Sequence, residues 1–101
     1  MTRSKSILSY TDVREAFDRA MLNEKGCAIT LKDPRAVTRW IARANMFRVL
    51  DRQENEKLYE TTHSLYGRSA YDVLKVYKSP DNERMVKIEP ISLDVESIMD
   101  L

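Results

Sequence analysis

Apolar and polar positions alternate along this chain in two different periods. In "YTDVREAFDRAMLNEKG", Val13, Phe17, Ala20 and Met21, with Ala16, recur at the spacing of one helical face. Ser9 or Thr11 is placed to cap that helix, Asp12 and Glu15 suit its first turn, and Gly26 is a natural stop. "CAITLK" then switches to a period of two. Cys27, Ile29 and Leu31 share one side of a strand, and Ala28, Thr30 and Lys32 the other. "KDP" opens a second helix, with Asp33 as cap and Pro34 at the first helical position, where a missing N–H costs nothing. That helix is expected to run to about residue 53. Ala36, Val37, Trp40, Ile41, Ala44 and Phe47 fall on one side of it. Met46, Val49 and Leu50 fall outside this stripe, so the helix is expected either to be wrapped on several sides there or to bend or end before Asp51.

Further on, "ETTHSLYGRSA" reads as a loop. "YDVLKVYK" and "RMVKIEP" read as two strands joined by the tight connection "SPDNE", with Leu74 and Val76 facing Val86 and Ile88 and with Pro90 ending the second strand. The order α-β-α-β-β predicts an α+β fold: a small three-stranded sheet with two helices packed on one face. The alternative is a winged helix, in which the long helix breaks near Asp51 and "RQENEKLYETT" forms a third helix. Its recognition helix would be the acidic "DRQENEKLYE", poorly suited to a DNA groove. Residues 1–9 are expected to be a flexible arm, 10–91 a single domain and 92–101 an acidic tail.

Composition narrows the class. With 101 residues, 43% apolar and 33% charged, the chain can bury one core. No run approaches the roughly 18 apolar residues of a membrane span, and no signal peptide is expected. The single Cys27 cannot close an internal disulfide, which points to a reducing, cytoplasmic setting. The net charge is +1, unevenly spread. Residues 34–50 hold four arginines and no acid, whereas residues 89–101 hold four acids and no base. A protein that coats nucleic acid indiscriminately is disfavoured; a local basic patch is not.

Candidate chemistry is sparse. One histidine, His63, and one cysteine do not supply a structural zinc site, and neither a P-loop nor a glycine-rich dinucleotide turn is present. His63 is expected to hydrogen-bond nearby backbone in its loop, Cys27 and Trp40 to pack in the core, and Tyr59, Tyr66, Tyr71 and Tyr77 to cover the sheet with their hydroxyls in water. The chain is therefore expected not to be an enzyme, and to need no cofactor and no metal.

The arginines are the remaining feature. Arg35, Arg39 and Arg43 repeat one sign at i, i+4, which is mildly destabilising in an isolated helix. Arg48 and Arg52 lie on the opposite flank. Either these are a solvated face, with Arg48 and Arg52 paired to Asp51 or Glu54, or they meet phosphate, an acidic protein surface or the chain's own tail. Arginine suits bidentate contacts to phosphate or carboxylate. The expected binding set is Arg35, Arg39, Arg43, Arg48 and Arg52 on the helix, with Lys75, Lys78 and Arg84 on the hairpin and Lys87 beside them.

The stretch "ANMFRVLDRQENEKLYE…HSLYGRSAYDVLKV" resembles small proteins encoded by tailed phages and prophages. In these, an aromatic-arginine helix ending "FR.LDR.EN" precedes a loop with "GRS.YD.L" and a hairpin. The resemblance spans residues 33 to about 90. It implies a short accessory protein made inside a bacterium, of a kind that binds and inhibits a host complex, immune nucleases included, or binds DNA; it carries over no catalytic residues. The expected partner is thus a host protein or a protein–nucleic-acid complex, with no membrane. The alternatives are direct DNA or RNA binding through the same basic groups, and a homodimer in which one copy's tail docks on its neighbour's basic helix.

Overall fold

A computed structural model describes residues 9–91. Helix α1 spans Thr11–Leu22, strand β1 Cys27–Thr30, helix α2 Pro34–Leu58, a 3-10 turn Ala70–Val73, strand β2 Leu74–Lys78 and strand β3 Met85–Pro90. The order is α-β-α-β-β, as the periodicities predict. Residues 1–8 and 92–101, and with them the expected acidic tail, lie outside the described residues.

The sheet order is β1-β3-β2, and both outer strands run antiparallel to β3. β1 and β2 are therefore parallel to each other, and the β1–α2–β2 crossover steps over β3. Cys27 pairs with Ile88 and Ile29 with Val86 on one side; Val76 pairs with Ile88 on the other. This register puts Ile29, Val76, Val86 and Ile88 on one face, where they meet both helices. Ala28, Thr30 and Lys75 on the opposite face are exposed. The molecule has two layers, helices on one side and open sheet on the other.

Val13, Ala16, Phe17 and Ala20 of α1, Val37, Trp40, Ala44 and Phe47 of α2, and Leu74, Val86 and Ile88 of the sheet form the core. Phe17 is its hub. Its ring meets Trp40 edge-on at 6.5 Å, Phe47 at 5.8 Å and Tyr71 at 5.3 Å, within the range of favourable aromatic pairs. Cys27 is half-buried rather than fully enclosed, and its thiol donates to the Ala16 carbonyl.

Several local expectations shift. α1 is capped by Tyr10 without a side-chain hydrogen bond, not by Ser9 or Thr11, because packing of the Tyr10 ring on Phe47 fixes the entry instead. Met21 is exposed, since the buried face of α1 turns through Ala16 and Ala20. The helix ends before Asn23, and Gly26 serves the following turn, with φ of 77° and no space for a Cβ beside the Ile88 carbonyl. Asp33 caps α2 as expected, accepting from the Ala36 N–H at 2.7 Å.

α2 does not stop near Asp51. It continues to Leu58, and "RQENEKLYETT" is not a separate helix, which removes the winged-helix alternative. At 25 residues it is about 37 Å long, roughly twice the length of a strand of this sheet. Its apolar core residues run from Val37 to Phe47, and the buried residues beyond them, Asp51, Glu54 and Asn55, are polar. Tyr71, Asp72 and Val73, expected in a strand, form the 3-10 turn, held by a Ser69–Asp72 capping box.

Candidate interaction surface

The far half of α2 buries polar groups, not apolar ones. Asp51 is 3% exposed and Asn55 5%. Their partners come from residues 68–74, the segment that leads into β2. Arg48, Asp51, Arg52 and Asn55 follow the i, i+3, i+4, i+7 spacing of one face, and each has a partner in that returning segment. Arg48 donates to the Leu74 carbonyl at 2.6 Å. Asp51 accepts from the Ser69 hydroxyl at 2.6 Å. Arg52 grips Asp72 through two guanidinium nitrogens at 2.6–3.1 Å. Asn55 donates to the Arg68 carbonyl at 2.6 Å. Burying such groups is tolerable only when they are satisfied, and no buried side-chain nitrogen or oxygen among the described residues lacks a partner.

The motif pair "FR.LDR.EN" and "GRS.YD.L" is thereby accounted for as a polar seam. Phe47, Tyr71 and Leu74 pack in or against the core, Gly67 takes a φ of 64°, and the polar positions bind one another. The pattern marks how loop and helix join.

The expected binding residues therefore divide. Arg43 forms a bidentate pair with Asp12 of α1, both contacts at 2.8 Å, and its guanidinium lies 5.3 Å from the Tyr10 ring. The Arg43 guanidinium holds Asp12 below the usual carboxylate range. Arg48 is half-buried, its pKa lowered by desolvation, and it also bonds Asn45. Burial pushes Asp72 up, but Arg52 and the Ser69 N–H outweigh it and hold the carboxyl low. The acids that meet Arg43 and Arg52 come from α1 and the 3-10 turn, not from neighbouring positions on α2.

Arg35 and Arg39 differ. Both are exposed, and no described residue pairs with them. On the same outward stripe lie Ala42, Met46, Val49, Gln53 and Glu56, all exposed, with Met46 at 47% and Val49 at 38%. Met46 and Val49 are thus neither wrapped nor at a break; they face out. The steps from Arg35 to Glu56 alternate four and three, the spacing of a helix seam. That spacing is present in the sequence; the fold shows that its positions face outward.

The hairpin basics stand elsewhere. Lys75 and Lys87 flank Tyr77 on the open sheet face, the Lys75 ammonium 5.4 Å from the ring, with Glu89 accepting from the Tyr77 hydroxyl between them. Arg84 is exposed and donates to the Leu31 carbonyl; Lys78 is exposed at the strand end. The open sheet face and the outward face of α2 lie on opposite sides of the two layers, so the eight residues do not converge on one patch.

Other candidate chemistry is accounted for locally. His63 accepts the Leu65 N–H at Nδ1, as expected of a loop histidine, and stacks on Tyr59 at 4.0 Å. Tyr71 turns its hydroxyl to Asp18 rather than to water alone. A cleft of about 250 Å³ between α1 and β1 is lined by Asp12, Glu15, Arg19 and Cys27, but burial pushes the Cys27 thiol up, away from the reactive thiolate. Among the described residues no three His, Cys, Asp or Glu side chains gather to hold a metal ion, and no helix is long and apolar enough to cross a membrane. No family, no curated protein and no solved structure matches the chain.

Proposed function

We propose that this protein is a non-enzymatic interaction module that docks the outward face of α2 onto another protein. In the phage-type reading, that partner is a host protein or protein–nucleic-acid complex in the bacterial cytoplasm, which the docking inhibits. One observation carries the reading: the stripe begins with two exposed arginines that pair with no described residue and runs directly into exposed Ala42, Met46 and Val49. Phosphate would use the arginines and leave the apolar groups wet. A protein surface with carboxylates beside an apolar patch uses both.

A second reading, direct DNA or RNA binding, is favoured by Lys75 and Lys87 around Tyr77 on the open sheet face, which could track a backbone beside a stacked base. Glu89 within the same group weakens it.

Capture from bacterial lysate, with and without nuclease, separates the two. The docking reading expects a defined protein that survives nuclease and is lost with both Arg35→Gln/Arg39→Gln and Met46→Asp. Capture that disappears with nuclease and depends on Lys75 and Lys87 instead would replace it with the second reading.

A further inference from the structure

We propose that the outward face of α2 pairs with the same face of a second copy of this chain, the two helices running antiparallel. The proposal rests on reading that face as an interaction surface; the second copy competes for it with the docking partner.

The argument is one of register. Arg35, Arg39, Ala42, Met46, Val49, Gln53 and Glu56 repeat in alternating steps of four and three along the helix. A seam of this period keeps two helices in contact along their length. In an antiparallel pair, facing positions count in opposite directions. Setting Met46 against Val49 of the second copy puts Ala42 against Gln53 of that copy. Continuing outward puts Arg39 against its Glu56. Each layer recurs about the two-fold axis. The centre is apolar, and both ends join arginine to glutamate.

No comparable match exists in the parallel arrangement, which would set Arg35 and Arg39 against themselves. Like charges there oppose pairing, so charge alone selects the direction. A shift of one heptad brings Glu56 or Ala42 against Met46 and loses the charge match. Two-fold pairing is self-closing and consumes the face on both copies. The core lies on the other side of α2, so each copy folds without its partner. With three small or medium apolar side chains per copy, the pairing is reversible, concentration-dependent and weakened by salt.

The test is the mass of the full chain by sedimentation and light scattering across a concentration series. Mass should rise toward twice the monomer's, and less so at high salt. Arg39→Glu alone and Glu56→Arg alone each place like charges in two layers, and each should weaken pairing by roughly tenfold or more. Combining Arg39→Glu with Glu56→Arg in one chain restores opposite charges and should recover pairing. Val49→Asp should abolish it, with thermal melting little changed at concentrations too low for pairing because the residue is exposed. A chain that stays monomeric throughout overturns the proposal; if it still captures a protein through Arg39 and Met46, docking stands and self-pairing falls. A dimer indifferent to all these variants lies on another surface and overturns self-pairing through α2. A dimer lost in the single variants and not recovered in the double overturns the antiparallel register.

Discussion

The Ser69 hydroxyl donates to the Asp51 carboxylate at 2.6 Å, and the two side chains, 18 residues apart, are both buried. This contact fastens the returning loop to the far half of α2. Ser69→Ala removes the donor and leaves part of a buried carboxylate unmatched. It should cost about 1–3 kcal/mol in urea unfolding. A change within about 0.5 kcal/mol, the usual range for surface substitutions, would mean the seam contributes little.

The arginines of α2 should divide in the same measurement. Arg48→Gln strands the Leu74 carbonyl and should cost about 1–3 kcal/mol. Arg43→Gln loses an exposed pair with Asp12, worth about 0–1 kcal/mol. Arg35→Gln and Arg39→Gln should leave stability within about 0.5 kcal/mol. Should α2 bind duplex DNA, Arg35 and Arg39, which pair with no described residue, set a log–log salt slope no steeper than about −1.8 from this helix. A steeper slope that flattens on replacing Arg48 or Arg52 would contradict the internal contacts described.

Two glycines offer a contrast. Gly26 and Gly67 both have positive φ, 77° and 64°. A Cβ on Gly26 would collide with the Ile88 carbonyl and the Glu89 backbone, whereas one on Gly67 would meet nothing within 4 Å. Gly67→Ala should therefore cost only the left-handed penalty, about 1–2 kcal/mol. Gly26→Ala must also displace β3 and should cost clearly more, read as the difference between two melting curves. Equal losses would show that the turn relaxes freely.

Burial first, then the bond to Asp18, raises Tyr71 from 10.0 to about 12. An acid whose folded pKa is raised lends stability below its unfolded pKa and loses it as pH climbs through the folded value. Unfolding should become easier between pH 10 and 12, and Tyr71→Phe should flatten that stretch of the profile. Asp72 has the opposite sign: its folded pKa lies below 3.8, so its contribution is present above 3.8 and fades as acid takes the pH lower. Asp72→Asn should remove that acid-side loss. Profiles unchanged by either variant would discount these linkages.

Much of the fold is legible in the periodicities. Phe17, Val37, Trp40 and Phe47 are core because they recur at helical spacing, and Val86 and Ile88 because they alternate. Asp33 and Pro34 announce the start of α2. The end of α2 is not legible in the same way. Asp51, Glu54 and Asn55 look like a solvated face by composition yet are buried, and a segment about 15 residues later supplies the partners of Asp51 and Asn55. Nothing local to Tyr71 and Asp72 separates a 3-10 turn from a strand; the capping box from Ser69 decides it. The arginine row is visible as a row, but which arginines are occupied depends on Asp12 and Asp72, far away in the chain. The exposed seam through Met46 and Val49 is written in its spacing and becomes meaningful once those residues are seen to face outward.

The two halves of α2 answer to different solvents. The near half rests on apolar groups, so releasing it exposes the core and is driven strongly by denaturant. The far half is held through Ser69, Asp72 and the Arg68 carbonyl, and releasing it uncovers little apolar surface. Its opening should be nearly indifferent to urea, a flat baseline under the steep global transition in amide exchange. Residues 51–58 are therefore the stretch of helix that can come undone alone, while the sheet and the Phe17 cluster stay shut.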